Sequence, residues 1–213
     1  MTKTTNLLAI SALTVAFAML TASAVADAAI YVRIPHMGDD TILTAGYNDG
    51  TWFEADSFEC GIDRDLKKKF KKGGTEDLNI GAGELQECSI SKSLNSASAQ
   101  LAQFAINGNS PGTAEINFVE IGGSGAEEIP VTYLKYKLDR VFIKSWSTSG
   151  DADDMPVEEV AFYYNKIAFA YTPTGEETPE PSNIMSWDNV KNIKWDGVFD
   201  PIMELLFPQG QSK

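Results

Sequence analysis

"VTYLKYKLDRVFIKSWSTSGDADDMPVEEVAFYYNKIAFAYTP", residues 131–173, holds two alternating stretches around an acidic turn. Leu134, Tyr136 and Leu138 share one face of an extended chain, and Val141 and Ile143 carry that face on after a one-residue shift. A long strand over Val131–Ser145 is therefore expected, with a bulge at Asp139-Arg140 that bends it. On the return, Val160, Phe162 and Tyr164 alternate, and Ile167, Phe169 and Tyr171 alternate in the opposite phase. One extra residue near Asn165-Lys166 would keep both sets on the same buried face. The intervening "SGDADDMPVEE" (149–159) is then the connection of a β-hairpin, with Pro156 just before the returning strand.

Further strands lie upstream. Ile30–Ile34 alternates and stops at Pro35, and a loop with Gly38, Asp39 and Asp40 follows. Thr51–Ile62 reads as a second strand, interrupted near Asp56. Residues 63–83, "DRDLKKKFKKGGTEDLNIGAG", break the pattern and predict a long loop, or a mobile hairpin, projecting from the body. Leu85–Ser91 is a third strand. In "NSASAQLAQFAINGN", Ala97, Leu101, Phe104 and Ala105 repeat at helical spacing. Ser96 or Asn95 can cap that helix, and Gly108 can end it in a left-handed conformation. Thr113–Ile121 is a strand and Gly122–Gly125 a turn. Six or more strands with one helix predict a mainly β fold, a closed or nearly closed barrel or sandwich with the helix beside it.

Composition narrows the function classes. The chain has 213 residues, is 43% hydrophobic, and carries a formal net charge of -13. A surface this acidic repels phosphate backbones and anionic membranes, so nucleic acid is not an expected partner. Residues 1–26 have the form of a cleavable export signal: Lys3, the apolar run Leu7–Leu20, and Ala24-Val25-Ala26 ahead of Asp27. Cleavage after Ala28 is a second option. The mature chain lacks a second long apolar segment, so no membrane span is expected in it, and its place is the periplasm or the outside of the cell. There, Cys60 and Cys88 could form one disulfide, contributing ~3–4 kcal/mol. Two buried free thiols are the alternative, since sequence does not bring the Cα atoms together.

The residues offer little convergent chemistry. His36 is the sole histidine, in a loop, with no Ser, Cys or carboxylate beside it in a recognisable motif. Gly81-Ala82-Gly83 and Gly122-Gly123-Ser124-Gly125 do not continue into Gly-Lys-Ser/Thr. No Cys/His spacing suits zinc. Asp151, Asp153 and Asp154 lack the glycine and the glutamate that a calcium loop needs at its sixth and twelfth positions, so they read as a solvated turn. No catalytic, cofactor-binding or metal-binding residue is assigned, and the chain is not expected to be an enzyme.

The order of these segments resembles the Hcp family, the haemolysin-coregulated proteins of type VI secretion tubes. "AIYVRIP" looks like the family's first strand, and "WFEADSFECGI" resembles its second. "LQECSISKSLNSASAQLAQFAINGN" is similar to its strand, lysine and small-residue helix. "VTYLKYKLDRVFIKSWSTSG" followed by "MPVEEVAFYYNKIAFAYTP" is the most specific part, with its Ser-Gly loop, Pro-x-Glu start and Lys-Ile…Tyr-x-Pro exit. "SWDNVKNIKW" is similar to the family's ending. The resemblance spans about residues 29–195.

It implies an Hcp-like β-barrel of two sheets with one flanking α-helix over 27–173, followed by a C-terminal extension over 174–213. It also implies a non-enzymatic structural protein, a homohexameric ring that stacks into a tube, with secreted cargo or secretion-apparatus proteins as partners. Two departures stand out: the export signal, and the added "DGVFDPIMELLFPQGQSK" after Trp195. An exported binding module on the same barrel, without tube formation, is the alternative. Lys67, Lys68, Lys69, Lys71 and Lys72 form the strong basic run of an acidic chain, and a solvated loop is its bland reading. As a docking arm they would meet an acidic rim on a neighbouring ring, formed by Asp151, Asp153, Asp154, Glu158 and Glu159.

Overall fold

The computed structural model describes residues 27–64, 66–68, 78–80, 83–122, 129–173 and 183–196. Residues 1–26, read above as an export signal, and the residues beyond 196 lie outside them. The strands are β1 (Asp27–Arg33), β2 (Phe53–Ala55), β3 (Ser57–Glu59), β4 (Ile62–Asp63), β5 (Leu66–Lys68), β6 (Leu78–Ile80), β7 (Glu84–Leu85) and β8 (Cys88–Ser93). Helix α1 (Ser98–Asn107) precedes β9 (Gly112–Gly122), β10 (Ile129–Ser149), β11 (Val157–Tyr163), β12 (Lys166–Tyr171) and β13 (Asn183–Asp188).

Hydrogen bonding runs in the order β2-β1-β9-β10-β11-β8-β3. Only Asp56 separates β2 from β3, so the last strand of this order is the continuation of the first and the circuit closes. The chain changes partner at Asp56: Ala55 pairs with Ile30 of β1, and Ser57 pairs with Ser91 of β8. The Asp56 amide donates to the Ser91 carbonyl at 2.8 Å, which keeps the crossing hydrogen-bonded. The expectation of two sheets is corrected accordingly. All nine strands of the body belong to one hydrogen-bonded sheet, because β10, with 21 residues, is long enough to serve both sides.

The phase shifts at Asp139-Arg140 and Asn165-Lys166 are one structural event. Strand β10 pairs with β12 from Leu134↔Tyr171 to Asp139↔Lys166, and with β11 from Phe142↔Tyr163 onward. Each step forward on one strand is a step back on the other across the whole bend, so both strands turn together without slipping. Arg140 takes φ 55°, and the Asn165 amide donates to the Asp139 carbonyl at 3.0 Å. Lys166 pairs with Asp139 at 2.9 Å on the outside of this corner. On its other edge β10 shifts register against β9 between Leu138 and Val141. That is the geometry of a bulge that bends a barrel strand.

Val32, Phe53, Ile90, Leu101, Ile116, Leu138, Val141, Val160 and Phe162 are within the buried core. Along β12 burial follows the alternation less closely. Ile167 is buried and Phe169 partly so, but Tyr171 is exposed while Ala168 and Ala170 are buried. The cause is that β12 leaves the closed circuit to pair with β13 along its whole length. Part of the segment assigned to the C-terminal extension, Asn183–Asp188, is thus a strand of the body.

Leu101 of α1 is fully buried and the helix packs into the core. Gly108 ends it at φ 67°, its amide donating to the Phe104 carbonyl at 3.2 Å. The start differs from expectation. Ala97 is the capping residue and no side chain caps the helix. Asn95 Oδ1 instead accepts the Ala97 amide in a preceding turn, and the Ser96 hydroxyl donates to the Gly38 carbonyl. A second cluster, Tyr31, Ile42, Tyr47, Trp52 and Val119, sits under the loop that follows β1.

Candidate functional site

Two features leave the barrel at opposite ends of the β8–β11 pair. The first is the segment over 63–83, read as a long loop or a mobile hairpin. Its described residues continue the β3–β8 ladder outward as antiparallel pairs, with β4 on β7 and β5 on β6. Lys67 pairs with Asn79 and Lys68 with Leu78 through their backbones. Lys69, Lys71 and Lys72 lie outside the described residues. At the neck, Cys60 and Cys88 occupy the next opposed position after Glu59↔Ser89, and a disulfide joins them with their Cα atoms 4.3 Å apart.

The second feature is the acidic turn. Asp151 Oδ1 accepts the amides of Asp153 and Asp154 at 3.0 and 3.2 Å, and all three aspartates are exposed. Turns of this kind use the carboxylate to satisfy their own backbone. Glu159 is also exposed. The register Val157↔Ser93 to Phe162↔Cys88 puts the acidic turn at the Ser93 end and the disulfide neck at the Cys88 end. At ~3.4 Å per residue, five steps separate the two by about 17 Å.

Glu158 does not belong to the acidic rim. Its side chain is fully buried and faces the interior. The sequence carried the signal: Glu158 stands two residues before Val160 and four before Phe162, so strand alternation turns all three inward. By the same alternation Lys92 faces inward with Cys88 and Ile90. Lys92 Nζ lies 2.5 Å from Glu158 Oε1 and donates to the Ser93 carbonyl at 2.8 Å and to Ser98 Oγ at 3.2 Å. Ser98 Oγ donates to Glu158 Oε1 at 2.9 Å and accepts the Asn95 amide. Trp146 Nε1 donates to Glu158 Oε2 at 2.6 Å. Lys92 Nζ also lies 5.7 Å from the centroid of the Phe53 ring.

This network ties β8, β10 and β11 to the first turn of α1. Lys92, Ser98 and Trp146 escaped the sequence reading as functional residues. Burying both charges is tolerable because each carboxylate oxygen and the ammonium have hydrogen-bond partners. The arrangement holds the helix on the barrel.

His36 is exposed at φ 70°, in a turn where the Met37 amide donates to the Ile34 carbonyl at 3.0 Å. Pro35 and His36 hold the two central positions of that turn. Asp39 is buried behind it. Burial pushes its carboxyl pKa up, but donors from Thr41 and Asn95 and the charge of Lys92 outweigh this and hold it below the ordinary value. On the outer face of β9, burial likewise raises Glu115, and Lys135 and Arg33 outweigh it. Burial keeps the Lys135 ammonium below the usual lysine range despite Glu115 at 3.4 Å. Among the described residues no group of three or more His, Cys, Asp or Glu is placed to hold a metal ion. Among them, too, no helix is long and apolar enough to cross a membrane.

The family model described as "Type VI secretion system effector, Hcp" matches residues 45–171, more than half of the chain. No curated protein matches it. Solved structures of the same fold include one described as a type six secretion system protein, 20% identical with a TM-score of 0.64, the match covering 78% of this chain and 99% of that one. Hcp1 from Salmonella typhimurium is 15% identical with a TM-score of 0.58, over 79% of this chain and 99% of that one. The Hcp1 protein from E. coli EAEC 042 is 16% identical with a TM-score of 0.56, over 76% and 97%.

Proposed function

From the premise that this chain belongs to the Hcp family of type VI secretion effectors, we propose that it is an exported, non-enzymatic structural protein that forms a homohexameric ring. Rings stack head to tail, the basic arm of one reaching the acidic turn of the next. The observation that carries this reading is the placement of arm and turn at opposite ends of β8 and β11. Head-to-tail assembly needs two different, complementary surfaces on each subunit. The lysines of residues 67–72 and the carboxylates Asp151, Asp153, Asp154 and Glu159 have opposite charge, on a chain of net charge -13. Such a contact steers association and weakens with salt. Partners are other copies of the chain, and secreted cargo or secretion-apparatus proteins.

Export through the sequence 1–26 places the rings in the periplasm or outside the cell. The same signal favours a second reading, an exported binding module that keeps the barrel and forms no tube. Sedimentation of the chain at low and moderate salt separates the two. A six-subunit particle whose further association at low salt disappears when the five lysines are changed to alanine is the expected result. A monomer at every concentration leaves the binding module. Unchanged ring-to-ring association in the lysine variant removes the arm from the contact.

A further inference from the structure

Cys60 and Cys88 stand where the β3–β8 ladder leaves the barrel, so every residue of the arm, 61–87, lies inside the loop that their disulfide closes. On the barrel side the bond is anchored. Cys88 has no exposure, and Cys60 is packed against the core cluster but only partly buried. On the arm side the non-covalent hold is thin. Continuing the β3–β8 register would set Ile62 opposite Gln86, but Ile62 pairs with Leu85, so the ladder slips by one residue just past the bond.

Two residue pairs make up the β4–β7 ladder. The Gln86 amide donates to the Gly61 carbonyl at 2.9 Å, and the Tyr164 hydroxyl donates to the Gln86 carbonyl at 2.8 Å. Ile62, Asp63, Glu84 and Gln86 are exposed, so the neck buries little apolar surface. An isolated two-stranded ribbon is marginal in water at best. Its resistance to local opening therefore depends on the covalent link at its base.

We propose that the Cys60–Cys88 bond is a neck lock, through which arrival in an oxidising compartment fixes the arm to the barrel in the geometry that contact with a second copy of the chain requires. The proposal rests on the reading of the arm as the contact between rings. The oxidant is a disulfide, either a small molecule or a thiol–disulfide exchange protein, written RSSR. Cys60, the less buried of the two, loses its proton and attacks one sulfur of RSSR, expelling RS⁻. The Cys88 thiol then loses its proton and its sulfur displaces the second RS⁻ from Cys60. The chain gives up two electrons and two protons, and RSSR becomes two RSH. Once closed, the buried Cys88 sulfur is shielded from external thiols, so reopening has to begin with attack on the Cys60 sulfur. A chain still in a reducing compartment carries a folded barrel with an unlocked arm, and does not assemble through it.

Hydrogen exchange of the full chain, read by mass spectrometry on peptides from the arm and from β9–β10, tests the lock. Dithiothreitol under native conditions opens the bond, and the double variant Cys60→Ser/Cys88→Ala removes it. Exchange in the β4–β7 neck should rise at least tenfold on reduction while β9–β10 keeps its protection. Trypsin cleavage after Lys67 and Lys68 should accelerate by a similar factor. Equal neck protection with and without the bond overturns the proposal. So does loss of β9–β10 protection together with the neck, because the bond would then be a staple of the whole fold. If the double variant fails to fold, the chemically reduced chain decides. The reading of the arm as a ring contact fails separately: an oxidised chain that stays monomeric but shows the tenfold neck difference keeps the lock and loses the contact.

Discussion

Changing Glu158 to alanine is the sharpest test of the buried network. The substitution takes an acceptor from three donors, the Lys92 ammonium at 2.5 Å, the Ser98 hydroxyl at 2.9 Å and the Trp146 indole at 2.6 Å. Lys92 then keeps the Ser93 carbonyl and Ser98 but loses its hydrogen-bonded counter-charge, at a site where it is 1% exposed and the more distant Asp39 carboxylate is the remaining opposite charge. Removing one partner of a buried ion pair costs about 3–5 kcal/mol, and the stranded indole donor pushes the figure toward the upper end. Domains are commonly stable by only about 5–15 kcal/mol, so the variant should lose a third or more of its stability. At about 2–4 °C per kcal/mol, the melting temperature should fall by roughly 10–20 °C.

Urea unfolding followed by tryptophan fluorescence measures the loss. The controls are Lys92→Met, Glu158→Gln and the two together. Because the penalty of each single change is largely the unpaired partner left behind, the double variant should cost about 1–3 kcal/mol less than the sum of the singles. Single variants that cost under about 1 kcal/mol, or a double variant that equals the sum, would refute the claim that the pair is buried and coupled.

Two glycines should respond differently to alanine. Gly38 has no room, since an added Cβ would lie 1.9 Å from the Gly50 carbonyl oxygen. Gly38→Ala should force the loop apart, break the hydrogen bond that the Asp39 amide donates to the Trp52 carbonyl, and cost several times more than Gly108→Ala in the same unfolding assay. Gly108 has open space around it and only its φ of 67° is at stake, so about 1 kcal/mol is expected there. Alkaline pH tests Tyr164, whose phenol is pushed up to about 12 by burial. A folded-state value above the unfolded one means that the group's contribution is whole below about pH 10 and is lost as pH rises toward 12. Unfolding free energy should decline over that window, by at most about 2.7 kcal/mol from this group, and Tyr164→Phe should remove that part of the decline. A Tyr164→Phe variant with an unchanged alkaline slope would contradict the assignment.

Much of the body was legible in the sequence because strand burial imposes a period of two. The changes of phase at Asp139-Arg140 and Asn165-Lys166 were visible in the order of apolar residues. That they face each other across one corner was not, since it depends on pairing Asp139 with Lys166. The break at Asp56 was legible too, while its role in closing the circuit depends on β2 and β3 taking different partners. Glu158 shows where composition misleads. Counted with Asp151, Asp153, Asp154 and Glu159 it looks like part of a charged surface, but its position in the alternation points inward.

By itself the sequence determined the mainly β character, the helix ended by Gly108, the bends, and the family resemblance. These follow from local periodicity and turn chemistry, which act over a few residues. Tertiary structure decided which strands pair, that one sheet closes where two were expected, and that β13 joins it. It also set Lys92 against Glu158, 66 residues apart in the chain, and placed the arm and the acidic turn at opposite ends of one strand pair. The physical reason is that register and burial are properties of paired segments. A charge on a strand is solvated or enclosed according to what another part of the chain lays over it.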